Sequence, residues 1–183
     1  STHFASADLR QQGELKLRAT AAFTDLDRLE GPDWTNVTPP TVPAFDEAAS
    51  LAMSHLEIHQ SIDLRMVQGA EVFTHGQTNS SGEFVAWLAH KDGAAPGPID
   101  LLMFADIMPP PIFTLYGAYG WVPTVELTVQ VRRKPAGGPL LARHSTRQVT
   151  RGVAETDTEI WDDSGDLVAM ARQTYKVRMP IAD

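Results

Sequence analysis

Cysteine is absent from all 183 residues, which removes disulfides, thiolate zinc sites and cysteine nucleophiles together. The cytoplasm is the expected compartment. No apolar run reaches the ~18 residues of a membrane-spanning helix, and no signal-peptide pattern opens the sequence. Positive charge is scarce: 15 Lys and Arg stand against 23 Asp and Glu, and the net charge of -8 argues against a nucleic-acid surface. It says little about small substrates. No Gly-x-Ser-x-Gly elbow occurs, which argues against a serine hydrolase of the α/β class. His55 and His59 stand four apart, as metal ligands on a helix can, but no carboxylate cluster completes a site, and no metal is expected. No cofactor is expected either. His75, His90 and His144 read as solvated surface residues, and Trp34, Trp87, Trp121 and Trp161 as packing residues.

What the chain does have is 43% apolar residues with 13 Gly and 13 Pro, enough for one core broken by many turns. Residues 15–23 alternate like a half-buried strand with almost nothing before them to pair with. Residues 27–45 carry the Pro, Asn and Asp density of an ordered linker, and 46–55 suggest a short helical turn capped by Asp46. Residues 57–67 and 82–91 then read as strands. In the second, Phe84, Ala86 and Leu88 face one way while Val85, Trp87 and Ala89 face the other. Four more strand candidates follow at 124–133, 140–150, 152–161 and 167–178. The turns 135–139, 151–152 and 162–165 separate them in the spacing of an antiparallel meander.

Between the two groups of strands lies a strongly apolar helical segment, about 99–110. At about 100° per residue, Ile99, Leu102, Met103, Asp106 and Pro110 share one side while Leu101, Phe104 and Ala105 cover the other. Such a helix is expected to be buried all round. Asp106 then sits in an apolar stripe, where an ionised carboxylate needs partners. It either satisfies backbone groups near Pro109, Pro110 and Pro111, which should end the helix, or does chemistry. Strand, strand, helix and four strands make an α+β pattern, with one antiparallel sheet of about six strands wrapped around the helix.

That order is similar to the hot-dog fold. The segments Phe104-Ala-Asp-Ile-Met-Pro-Pro-Pro-Ile-Phe113, 122–135 and 151–178 resemble the C-terminal domain of the acyl-CoA thioesterase II family in order and spacing. The resemblance covers residues 57–183 well and 14–56 loosely. Members of that family carry two hot-dog domains. The resemblance therefore implies that residues 1–26 are the remnant, a last strand, of an N-terminal hot-dog domain, that 27–56 are a linker, and that 57–183 form the C-terminal hot-dog domain. A first residue of Ser rather than Met favours a fragment. The resemblance also implies hydrolysis of fatty acyl-CoA to free fatty acid and CoA by an activated water. It assigns the carboxylate to Asp106, the hydroxyl to Thr124 and the amide to Gln173.

From the residues alone, Gln173 shares strand parity with Leu167, Ala169, Ala171, Tyr175 and Val177. Thr124 instead follows the parity of Glu126 and Thr128, the polar side. The run Arg132-Arg133-Lys134 reads more simply as a solvated hairpin end than as a contact for CoA phosphates. The implied partners are acyl-CoA and a second hot-dog domain, from the missing half or from another subunit of a homo-oligomer. That second sheet is expected to cover outward residues such as Trp87 in an interface of at least ~1,600 Å². The alternative from another class is a non-catalytic hot-dog subunit that supplies an acyl-binding surface or an interface. A hydratase of the same fold is disfavoured, because its His five residues after the Asp is replaced by Pro111.

Overall fold

The computed structural model of the protein describes residues 1–51, 57–118 and 120–178. His55 therefore lies outside the described residues. Two compact units emerge, Ser1–Trp34 and Thr35–Asp183. In the first, β1 (His3–Gln11) pairs antiparallel with β2 (Glu14–Phe23). The strand expected to lack a mate has one. Gln12 and Gly13 both hold positive φ, 52° and 81°, as a tight hairpin turn requires. The mate is inconspicuous in the sequence because its apolar side is built largely of Ala5, Ala7 and Leu9, opposite Ala21, Ala19 and Leu17.

The second unit opens with 3₁₀ turns at Phe45–Glu47 and Glu57–Gln60. There follow β3 (Ile62–Gln68), α1 (Glu71–Thr74), β4 (Glu83–His90), α2 (Asp100–Phe104), α3 (Phe113–Tyr116), β5 (Thr124–Val131), β6 (Leu140–Ser145), β7 (Val149–Thr150), β8 (Val153–Trp161) and β9 (Leu167–Lys176). One antiparallel sheet has the order β3-β4-β6-β8-β9-β5, with β7 attached to β8. The strand that follows the helical segment thus returns to pair with the last strand of the chain. Two expected strands are corrected. Residues 57–60 are 3₁₀ rather than extended, and the run 140–150 breaks after Ser145, where the Arg147 amide donates to the Glu155 carboxylate instead of to a strand.

The central helix, Asp100–Phe104, is shorter than the expected 99–110, and the prolines explain why it cannot reach 110. A proline clashes with the carbonyl four residues before it and brings no N–H, so Pro109, Pro110 and Pro111 forbid helical bonding to residues 105–107. The last turn closes with the Asp106 amide donating to the Met103 carbonyl at 3.0 Å. Nor is the helix buried all round. Leu101, Phe104 and Ala105 are fully buried against the inner sheet residues Phe84, Ala86, Leu88, Leu140, Ala142 and Ile160. Ile99 and Leu102, on the other side, are 71% and 45% exposed.

The outer face of the sheet is covered in part by residues 43–45 of the same unit. Trp87 donates its indole N–H to the Pro43 carbonyl at 2.9 Å. The Arg65 guanidinium lies 4.0 Å above the Phe45 ring and donates to the Phe45 carbonyl at 2.9 Å. Trp87, expected to await a second sheet, is already partnered. The four tryptophans divide: Trp161 is fully buried, while Trp34 and Trp121 are 84% and 65% exposed rather than packed.

Two histidines also depart from the surface reading. The His90 ring packs 5.3 Å from that of Phe104. His144 is 2% exposed on the inner face, with register partners Phe84 and Thr158, and its Nε2 has no hydrogen-bond partner among the described residues. Burial pushes its pKa down to about 3. A depressed histidine pKa means that the unfolded chain takes up the proton first, so the stability linked to His144 is complete above pH 6.5 and drains as the pH falls toward 3. Between pH 7 and pH 5 the wild type should lose about 2 kcal/mol that His144→Leu does not, as measured by urea unfolding. Equal losses in both proteins would contradict a neutral buried imidazole.

Candidate active site

Three side chains from three elements meet at one point. Asp106 stands at the turn that ends α2, Thr124 opens β5, and Gln173 lies near the middle of β9. The Gln173 carboxamide nitrogen donates to Asp106 Oδ1 at 2.6 Å and to Thr124 Oγ1 at 2.6 Å. A carboxamide has two N–H groups, and both are engaged. Asp106 Oδ2, the Thr124 O–H and Gln173 Oε1 keep hydrogen-bonding capacity for a further molecule.

Each side chain is aimed by its backbone. Gln173 shares its side of β9 with Ala171 and Tyr175, which are 8% and 1% exposed, so strand pleating turns it to the inner side. Thr124 reaches that side by a β-bulge. Its register partner is Tyr175, yet Glu126 pairs with Thr174 and Leu127 with Gln173, which leaves one extra residue, Val125, in β5. The extra residue reverses the alternation. Simple parity places Thr124 with Glu126 and Thr128; the bulge instead turns it to the side of Leu127 and Gln173.

Asp106 is open to solvent on one side and backed by protein on the other. Desolvation raises its pKa above the usual aspartate value, and the Gln173 hydrogen bond partly opposes this by favouring the ionised form. A carboxylate with a raised pKa is a better proton acceptor when ionised, and hydrogen bonds to its neighbours hold it in place. The arrangement can bind one water that donates to Asp106 Oδ2 and accepts from the Thr124 hydroxyl. No group of three or more metal-ligating side chains occurs among the described residues. Arg132, Arg133 and Lys134 follow β5 as an exposed run.

The family model for the acyl-CoA thioesterase C-terminal domain matches residues 31–177. The chain belongs to that family. Membership makes this domain part of a family of thioester hydrolases, and the matched span contains all three converging residues. Solved structures share the architecture. A hot-dog protein from Alicyclobacillus acidocaldarius is 23% identical, with 99% of this chain and 69% of that one covered at a TM-score of 0.86. A candidate thioesterase II from Thermobifida fusca YX is 24% identical over 96% of this chain and 72% of that one, with a TM-score of 0.79. An acyl-CoA thioesterase II from Mycobacterium marinum is 19% identical over 98% and 70%, with a TM-score of 0.73. At these identities the likeness establishes the fold, an α+β hot-dog. No curated protein matches the chain.

Sequence reasoning missed the polar layer behind the site. The alternate β8 residues Ala154, Thr156, Thr158 and Ile160 are all buried, so two threonines occupy inward positions. The even-numbered polar pair was the available signal, and Tyr175 counted only as an apolar neighbour of Gln173.

The Asp106 carboxyl, followed by ¹³C NMR, should titrate above its ordinary 3.8, and Gln173→Ala should move the midpoint higher by removing the opposing hydrogen bond. Because the folded form holds this proton more tightly, the wild type should lose stability relative to Asp106→Asn as the pH rises from 3.8 through that midpoint. Deleting Val125 should restore regular alternation and turn Thr124 away, detectable as loss of the Thr124–Gln173 contact in nuclear Overhauser spectra.

Proposed function

We propose that this domain hydrolyses fatty acyl-CoA to a free fatty acid and CoA, with Asp106, Thr124 and Gln173 acting on one water. The observation that carries the reading is the Gln173 amide joining Asp106 to Thr124 at 2.6 Å each, in a member of a thioesterase family. The water donates one proton to the Asp106 carboxylate and accepts from the Thr124 hydroxyl. Its free lone pair adds to the thioester carbonyl carbon while that proton passes to Asp106. Collapse of the tetrahedral adduct breaks the carbon–sulfur bond and expels the CoA thiolate, which regains a proton. No covalent intermediate on the protein is needed. Positioning of the water and one base supply the acceleration.

The exposed apolar side of α2 supports a lipid substrate. Leu102 lies one turn before Asp106 and Ile99 one turn earlier again, so an apolar chain could lie along this side with its thioester at the carboxylate. The reaction is assigned to the cytoplasm, where a cysteine-free chain suffers no loss. A second hot-dog domain, from the same polypeptide or another subunit of a homo-oligomer, would complete the acyl site and cover this helix face.

Asp106→Asn keeps the shape and removes the base, and should lower kcat for a medium- or long-chain acyl-CoA by about 10²- to 10⁴-fold. Thr124→Ala and Gln173→Ala should each cost less, and the triple variant should be hardly worse than Asp106→Asn. Release of CoA, followed with a thiol reagent that this chain does not consume, measures all four. An Asp106→Asn protein that melts normally and keeps more than about a third of wild-type kcat would favour the non-catalytic subunit instead.

A further inference from the structure

Behind the three converging residues stands a buried hydroxyl. Tyr175 follows Gln173 by two residues on the same side of β9, is the register partner of Thr124, and is 1% exposed. Its phenolic oxygen lies 2.8 Å from Thr146 Oγ1 and 3.1 Å from Thr156 Oγ1. Thr156 is in turn the register partner of Gln173. The Tyr175 ring belongs to a small buried cluster with Ile112 and Ala154.

The contacts continue to the segment that carries Asp106. The Thr146 amide donates to the Gly82 carbonyl at 2.7 Å, and the Gly82 amide donates to Thr114 Oγ1 at 2.9 Å. Thr114, fully buried, donates that hydroxyl to the Pro111 carbonyl at 2.7 Å. Gly82 has no substitute here, because it holds φ at +66° and a Cβ would stand 2.5 Å from the Thr146 carbonyl oxygen. A buried network runs from the strand bearing Gln173 to the prolines that follow Asp106, and Tyr175 is its member on that strand.

We propose that Tyr175 is a positioning residue for this site, its hydroxyl holding the Gln173 strand at the separation from Asp106 that lets one amide bridge Asp106 and Thr124. The inference rests on reading those three residues as the site. A ring alone would fill the same space without direction, whereas hydrogen bonds to two buried hydroxyls select one geometry and are costly to leave unmade. Tyr175 does not itself touch the reacting atoms.

Tyr175→Phe keeps the ring and removes the hydroxyl, while Val149→Ala trims packing in the same cluster and leaves the hydroxyls alone. In Tyr175→Phe the Asp106 titration midpoint should rise, because a displaced Gln173 amide no longer favours the ionised carboxylate. The kcat for an acyl-CoA should fall about 10- to 100-fold with KM within about twofold. Val149→Ala should lower the melting temperature and change neither. An unmoved Asp106 midpoint in Tyr175→Phe, or an equal shift in Val149→Ala, overturns the proposal. Should Tyr175→Phe not fold, Thr156→Val is titrated the same way, and an unmoved midpoint there overturns it equally. A fully active Asp106→Asn beside a shifted midpoint in Tyr175→Phe would sink the catalytic reading and leave the positioning role standing.

Discussion

The Gln173 carboxamide is the interaction on which the site depends. Its nitrogen carries two N–H groups and no other side-chain donor, so bridging Asp106 and Thr124 uses all of its donor capacity. Three consequences follow from that one arrangement. Asp106 is oriented with one oxygen left open, the Thr124 hydroxyl is left to donate outward, and β5, β9 and the end of α2 are tied at a point far apart in sequence. A carboxylate beside an apolar helix face would otherwise be a cost, since burial resists its ionisation. Here the amide meets part of that cost and sets the carboxylate's direction.

Two local irregularities make the convergence possible. The tri-proline segment keeps α2 from running on past Asp106, which stands in the closing turn after Phe104. The bulge at Val125 reverses the alternation of β5 and brings Thr124 to the side of Gln173. Each departs from regular structure at the place where the chemistry is assigned, a pattern common to strained or irregular backbone near functional sites.

The two faces of the sheet are handled differently. Inside, α2 and the sheet share an apolar core interrupted by the layer of Thr146, Thr156 and Tyr175, whose hydroxyls satisfy one another. Outside, Pro43 and Phe45 provide carbonyls for Trp87 and Arg65, so an amphipathic indole and a guanidinium bury their apolar parts while their donors stay paired. The other side of α2, with Ile99 and Leu102, is open.

Much of this was legible in the sequence because it rests on local rules. Period-two alternation specified β4, β5, β8 and β9, glycine- and proline-rich turns separated them, and an apolar run between two groups of strands marked the α+β order. Asp106 was conspicuous as a charge in an apolar run, and Gln173 by its parity with Ala169, Ala171 and Tyr175. The extent of α2, the hairpin mate of β2, the burial of His144, the contact of Trp87 with Pro43 and the direction of Thr124 were settled only by tertiary structure. A bulge leaves no mark on one strand read alone, since it exists only as a mismatch of register with a partner 48 to 51 residues away. Parity predicts a side within an unbroken ladder; which ladder forms, and where it slips, depends on the strand that folds against it.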